Sequence, residues 1–155
     1  MASTYTDLGL ELMATGENAG TWGTKTNANL SLIEQLTGGY LVQTLNAAGT
    51  GVNTTPLTID DGALTGEAQN RVIILGAVSP EAITGNKTVT FPLLTETFYF
   101  IKNSTSGSYT VELKAVSGSG ATVSFGAADK GWKIVYVDGV ATNTGVYEIV
   151  IATVA

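Results

Sequence analysis

Carboxylates are the side chains of this sequence with most scope for proton transfer, because its 155 residues contain no histidine and no cysteine. That absence removes thiolate nucleophiles, disulfides, zinc sites built on Cys or His, and every imidazole-based acid–base mechanism. A serine or threonine nucleophile would need Lys or a carboxylate as its base, and no nucleophile-elbow pattern surrounds any of them. Glycoside hydrolysis by two carboxylates needs the pair about 5–10 Å apart in a cleft. Glu112 and Glu148 fall on predicted strands, and Asp129 and Asp138 in predicted loops. Solvated strand faces and turn caps are the favoured reading of all four, with a carboxylate-dependent glycan-cleaving enzyme as a third-ranked alternative. Asp60-Asp61-Gly62 lacks the spaced oxygen ligands of a calcium loop and reads as an Asp-Gly turn. Gly118 and Gly120 precede no helix and so form no phosphate-binding fingerprint. The expectation is a non-enzymatic chain with no catalytic residues, no metal and no cofactor.

Aromatic side chains offer binding rather than catalysis. Phe98, Tyr99 and Phe100 are consecutive, so on a strand the two Phe share one face and Tyr99 takes the other. The expected arrangement buries the Phe pair in the core and leaves Tyr99 for a subunit contact. Tyr109, Trp132, Tyr136 and Tyr147 could alternatively stack sugar rings. A carbohydrate-binding module of that kind requires Tyr99, Tyr109 or Tyr147 to be exposed and aligned.

The elements that must carry these groups are mostly strands. Tyr40–Leu45, Pro56–Ile59, Arg71–Leu75, Lys87–Phe91, Thr97–Lys102, Tyr109–Lys114, Ala121–Phe125, Trp132–Val137 and Val146–Ile151 are β-rich runs punctuated by Gly, Asn, Asp and Ser. Asn103–Ser108 between two such runs reads as a hairpin turn, and Asp138-Gly139 as a hairpin corner. Turns roughly every ten residues predict a mainly β fold, an antiparallel β-sandwich or barrel with one short N-terminal α-helix.

That helix is expected to begin between Thr24 and Asn27, where Thr and Asn side chains can accept hydrogen bonds from free backbone N–H groups. Its expected span is Asn27–Leu36, with a left-handed glycine cap at Gly38-Gly39. Leu30, Ile33 and Leu36 fall on one face with Leu32 beside it, and Trp22 is placed to cover that stripe. Residues 4–19 read as an extended arm with Leu8, Leu10 and Leu12 on one side, stable only against a neighbour. The organisation expected is an N-terminal arm plus helix over 1–39 and a β-rich body over 40–155.

Charged residues make up 13% of the chain, about half the usual share, the net charge is −6, and the mean hydropathy is +0.24. A surface so poor in charge suits burial between subunits or a repetitive assembly. Scattered Lys and Arg leave no nucleic-acid footprint. The N-terminus reads as no signal peptide, and no apolar run approaches the ~18 residues that span a bilayer, so synthesis in a cytoplasm and no membrane insertion are expected.

Gly20-Thr21-Trp22-Gly23, Thr26-Asn27-Ala28-Asn29 and Leu32-Ile33-Glu34 together resemble a motif of tail-fibre and other virion structural proteins of tailed phages, especially those of marine bacteria. There the motif precedes otherwise different β-rich bodies, which implies an attachment or assembly element formed here by Trp22, Asn27, Asn29, Leu30, Ile33 and Leu36. Lys87–Pro92, Tyr99–Val111 and Val135–Gly139 resemble a β module found near the ends of such proteins. The loop Gly126–Lys130 departs from that module, which has a short proline-containing turn there. No long shaft or repeat lies between motif and module, which favours a compact knob, a short fibre or a capsid decoration subunit over a long fibre. The resemblance implies a homotrimer made in the bacterial host cytoplasm and exposed on the virion. Its partners would be other virion proteins and a host surface glycan or receptor.

Overall fold

A computed structural model describes residues 2–45, 53–77 and 82–151. Strands form at the expected runs with shifted ends for most, except that the run Pro56–Ile59 is replaced by a strand at Thr54–Pro56, with residues 57–59 outside it; residues 46–52 of the expected turn-rich segment lie outside the described residues. The N-terminal arm folds back on itself: β1 (Thr4–Tyr5) pairs antiparallel with β2 (Glu11–Leu12). Helix α1 spans Trp22–Gly38. The strands β3 (Tyr40–Leu45), β4 (Thr54–Pro56), β5 (Val72–Ala77), β6 (Lys87–Phe91), β7 (Glu96–Asn103) and β8 (Val111–Ala115) follow. β9 (Val123–Phe125), β10 (Trp132–Asp138) and β11 (Val146–Glu148) complete the body, and a single 3-10 turn at Glu67–Gln69 precedes β5.

The fold is mainly β and sandwich-like. A five-stranded sheet in the order β11-β10-β7-β5-β3 faces a four-stranded sheet in the order β4-β6-β8-β9. Strand direction differs from the antiparallel expectation. β3, β5 and β7 pair in parallel, as do β4, β6 and β8, while β9, β10 and β11 join antiparallel. Parallel neighbours need a crossover between them, commonly a helix. In this chain the crossover is a strand of the opposite sheet, because from β3 to β8 the chain changes sheet after every strand.

The segment Asn103–Ser108 is therefore an arch between sheets and not a hairpin turn. Asn103, at the end of β7, is fully buried and holds it. Its Oδ1 accepts from Thr105 N–H at 3.1 Å and Thr105 Oγ1 at 2.7 Å, and its Nδ2 donates to the Asp129 carbonyl at 2.8 Å. Asp138-Gly139 is not itself the hairpin corner: it opens the loop 139–145 between the paired strands β10 and β11, in which the turn falls at 141–143. Gly139 takes φ +65°, and Asp138 Oδ1 accepts from Gly145 N–H at 2.8 Å across the loop. Asp60-Asp61-Gly62 closes a turn in which Ala63 N–H donates to the Asp60 carbonyl at 3.2 Å.

The core lies between the two sheets. Ile73, Leu75, Ile101, Val135 and Val137 of the larger sheet meet Val89, Phe91, Leu113 and Phe125 of the smaller one. Full burial of such side chains is worth about 1.5–3 kcal/mol each. Tyr99 belongs to this core, only 1% exposed, with its ring 5.0 Å from that of Phe91. Its hydroxyl donates to the Ala68 carbonyl at 2.8 Å. Phe98 and Phe100 point outward instead, the reverse of the expectation. Both faces of this strand are apolar at its centre, so hydrophobicity alone did not set its parity. Glu96 and Lys102 share the parity of the Phe pair, and keeping those charges out of the core sends the Phe rings outward with them.

Candidate functional site

The stretch from Gly20 to Glu34 is built into the fold through two polar residues of α1. Asn29 clamps the ribbon strand β2: its Oδ1 accepts from Glu11 N–H at 2.9 Å and its Nδ2 donates to the Glu11 carbonyl at 2.8 Å. Both backbone groups of a strand edge are thereby satisfied by one side chain. One turn earlier, Lys25 Nζ lies 3.0 Å from Glu11 Oε2. That ammonium holds the Glu11 carboxyl below its ordinary 4.5 against the opposing effect of burial, and Glu11 in turn raises Lys25. The ribbon is tied to the body as well. Buried Gln69 donates to the carbonyls of Leu8 at 3.0 Å and Asp60 at 3.2 Å, and Gly62 N–H donates to the Gly9 carbonyl at 2.8 Å.

The helix starts at Trp22, earlier than expected, because the Asn18 carbonyl accepts from both Thr21 and Trp22 N–H at 2.8 Å. Thr21, at the N-cap, makes no side-chain cap hydrogen bond, and Thr24, Thr26 and Asn27 lie inside the helix, so the anticipated Thr/Asn capping is not used. At the other end Gly39 is extended, with φ −61° and ψ 146°, and not left-handed. Glycine is needed there for space: a Cβ would sit 2.4 Å from the Gln35 carbonyl oxygen.

Leu32 and Leu36 are the buried residues of α1, and the helix packs against the 3-10 turn. Leu30 and Ile33, expected to share the buried stripe, are exposed, and Trp22 does not cover it. Trp22 is 66% exposed. The spacing Trp22, Thr26, Leu30, Ile33 follows the helical repeat and forms a second, outward ridge on α1, about 90–100° around from the buried one. Of the six attachment residues, then, Trp22, Leu30 and Ile33 form an exposed ridge, Asn29 and Leu36 hold the helix in place, and Asn27 lies exposed.

A larger apolar surface, missed in the sequence, is the outer face of the five-stranded sheet. Strand register places Tyr40, Val72, Phe100 and Ile134 in one row across β3, β5, β7 and β10. The row on one side holds Val42, Ile74, Lys102 and Trp132, and that on the other holds Phe98, Tyr136 and Tyr147. Tyr40, Val42, Phe98, Phe100, Trp132 and Tyr147 are all exposed. The Phe98 and Phe100 rings meet edge to face at 6.0 Å, and the Arg71 guanidinium stacks 4.1 Å over Phe98 while donating to Thr97 Oγ1 at 2.9 Å. The alternation of Trp132, Ile134 and Tyr136 with Lys133, Val135 and Val137 was the available signal: both parities of β10 are apolar, so one of them had to face outward.

Of the aromatics considered for sugar stacking, Trp132, Tyr136 and Tyr147 share the outer face of the larger sheet, with Tyr136 directly opposite Tyr147, whereas Tyr99 and Tyr109 lie elsewhere. Tyr99 is in the core, Tyr109 is exposed in the segment entering β8 of the smaller sheet, and Tyr147 is exposed on the outer face of the larger one. Among the carboxylates, Glu148 is paired with Lys133 at 2.8 Å, which also lies 3.4 Å from Asp129. Asp138 is held below its ordinary range chiefly by the Gly145 N–H, as its place in the loop between β10 and β11 requires. Compared with known proteins, the chain matches no family model, no curated protein and no solved structure.

Proposed function

We infer that this chain is a non-enzymatic structural subunit of a tailed-phage virion, a short tail-fibre knob or a capsid decoration subunit, attached to the particle through α1. The observation that carries this reading is the outward ridge of Trp22, Leu30 and Ile33 on a helix whose contacts to the rest of the fold are made by its other residues. A rigidly held helix with an aromatic anchor at one end is suited to lie in an apolar groove of a partner. Trp22 supplies the largest uncovered side chain, and the Asn29 and Lys25 contacts to Glu11 keep the helix from reorienting to bury it. The low charge of the whole chain fits a part that works inside an assembly. On this reading the β body faces outward, toward other virion proteins or the host surface.

The reading is tested on purified particles. Mass spectrometry of the virion should find the chain, and Trp22→Ala should lower its occupancy by about tenfold or more, the loss typical of a central aromatic anchor. The same substitution should change folding stability by no more than about 0.5 kcal/mol, since it removes an exposed side chain. Absence of the chain from particles sinks the virion assignment, and normal occupancy of Trp22→Ala sinks the anchoring role of the helix.

A further inference from the structure

We propose that the outer face of the five-stranded sheet is a self-association surface, and that two copies of this chain pack on it face to face with their β7 strands antiparallel. The two-fold axis lies in the plane of contact and runs across the strands at the level of Tyr99. This surface is separate from the helix ridge, and the inference stands whether or not the chain belongs to a particle.

Area is the first argument. Six exposed residues of this face, five of them aromatic, together with Ile149 beyond β11, present on the order of 800 Å² of side-chain surface. That is the share each partner contributes to an interface of standard size, about 1,600 Å² in total. Ile149 joins the face because its N–H donates to the Ile134 carbonyl at 2.8 Å. The centre of the patch has the composition of an interface core: Phe98 and Phe100 in edge contact, with a guanidinium stacked on one ring.

Charge selects the partner and its orientation. β7 is the middle strand of the sheet and carries a charge at each end of its outward-facing side, Glu96 at the start and Lys102 at the finish. The two are six positions apart along the strand, about 20 Å. Asp138 lies opposite Glu96 on β10 and the Arg71 guanidinium over Phe98 offsets one of these two charges, so one end of the face is net acidic and the other is basic. Only a copy of the same surface supplies this pattern in reverse. With the axis across the strands, each Lys102 meets Glu96 of the second copy, and Phe98 and Phe100 pack at the centre. An axis parallel to the strands, two-fold or three-fold, would gather like charges at both ends, which is unfavourable. The contact is isologous and closes at two subunits.

The experiment is sedimentation equilibrium of the full chain over a range of concentrations, with circular dichroism on each variant. The wild type should approach twice the 15.9 kDa chain mass. Glu96→Lys and Lys102→Glu should each weaken the dimer about tenfold, and the double variant should return to within about threefold of wild type, because the swapped charges meet again across the axis. Phe100→Glu and Trp132→Lys, on two different strands, should each give a folded monomer. A wild-type mass of one chain or of three overturns the proposal. So does a double variant as weak as the singles, or a dimer untouched by both Phe100→Glu and Trp132→Lys.

Discussion

Tyr99 shows how one hydroxyl can be structural while its neighbours serve the surface. Burial pushes its phenol well above the ordinary tyrosine range, and the neutral hydroxyl donates to Ala68. Tyr99→Phe leaves that buried carbonyl without a donor and should cost about 1–2 kcal/mol near neutral pH. The sign of the pH dependence follows from the raised folded pKa. The contribution is fully present below the unfolded value of about 10 and is lost as pH rises beyond it, by up to about 1.4 kcal/mol per pH unit. Urea unfolding at about pH 8 and about pH 11 should therefore show the gap between wild type and Tyr99→Phe narrowing at the higher pH. A gap that stays constant would mean that Tyr99 titrates freely in the folded protein. The residue was visible in the sequence as part of an aromatic run. Its direction was not, because parity in an apolar strand is settled by the flanking Glu96 and Lys102 and by pairing with β5 and β10.

At the scale of elements, α1 and the β1–β2 ribbon form one unit through Asn29. Asn29→Ala removes the partners of both Glu11 backbone groups and should lower the local opening free energy of β2 by about 1–3 kcal/mol. Hydrogen exchange should show the Glu11 amide losing protection while the amides of β7 and β10 keep theirs. Equal loss everywhere would make the clamp part of the global fold, and no loss would remove its structural role. The Glu11–Lys25 contact acts in the same place with its own pH dependence. Because the Glu11 carboxyl is held below 4.5, its stabilisation is present above that value and is lost as pH falls through the lower folded pKa. The existence of the helix was legible from its apolar spacing and the glycines after it. Which face it buries was not, since Leu30, Ile33, Leu32 and Leu36 offer two overlapping stripes, and the choice fell to the position of the 3-10 turn.

For the whole molecule, the path of the chain between sheets is the decisive feature. β7 and β8 are consecutive and separated by a short polar segment, yet they lie in different sheets. Replacing Ser104–Ser108 by Asn-Gly would suit a hairpin. In this fold it removes Thr105, which Asn103 holds, and leaves too little chain to cross the core, where sheets pack about 10 Å apart. Thermal unfolding of that variant should lose its cooperative transition; an unchanged transition would mean that β7 and β8 pair with each other. Local sequence carried the mainly β character, the positions of most strands and the helix. These depend on local propensity and on backbone geometry within a few residues. Tertiary structure alone decided the parallel pairings, the burial of Tyr99 and the outward turn of Phe98, Phe100 and Trp132. Each of these depends on which distant strand lies alongside, and an apolar pattern on both sides of a strand carries no record of its neighbour.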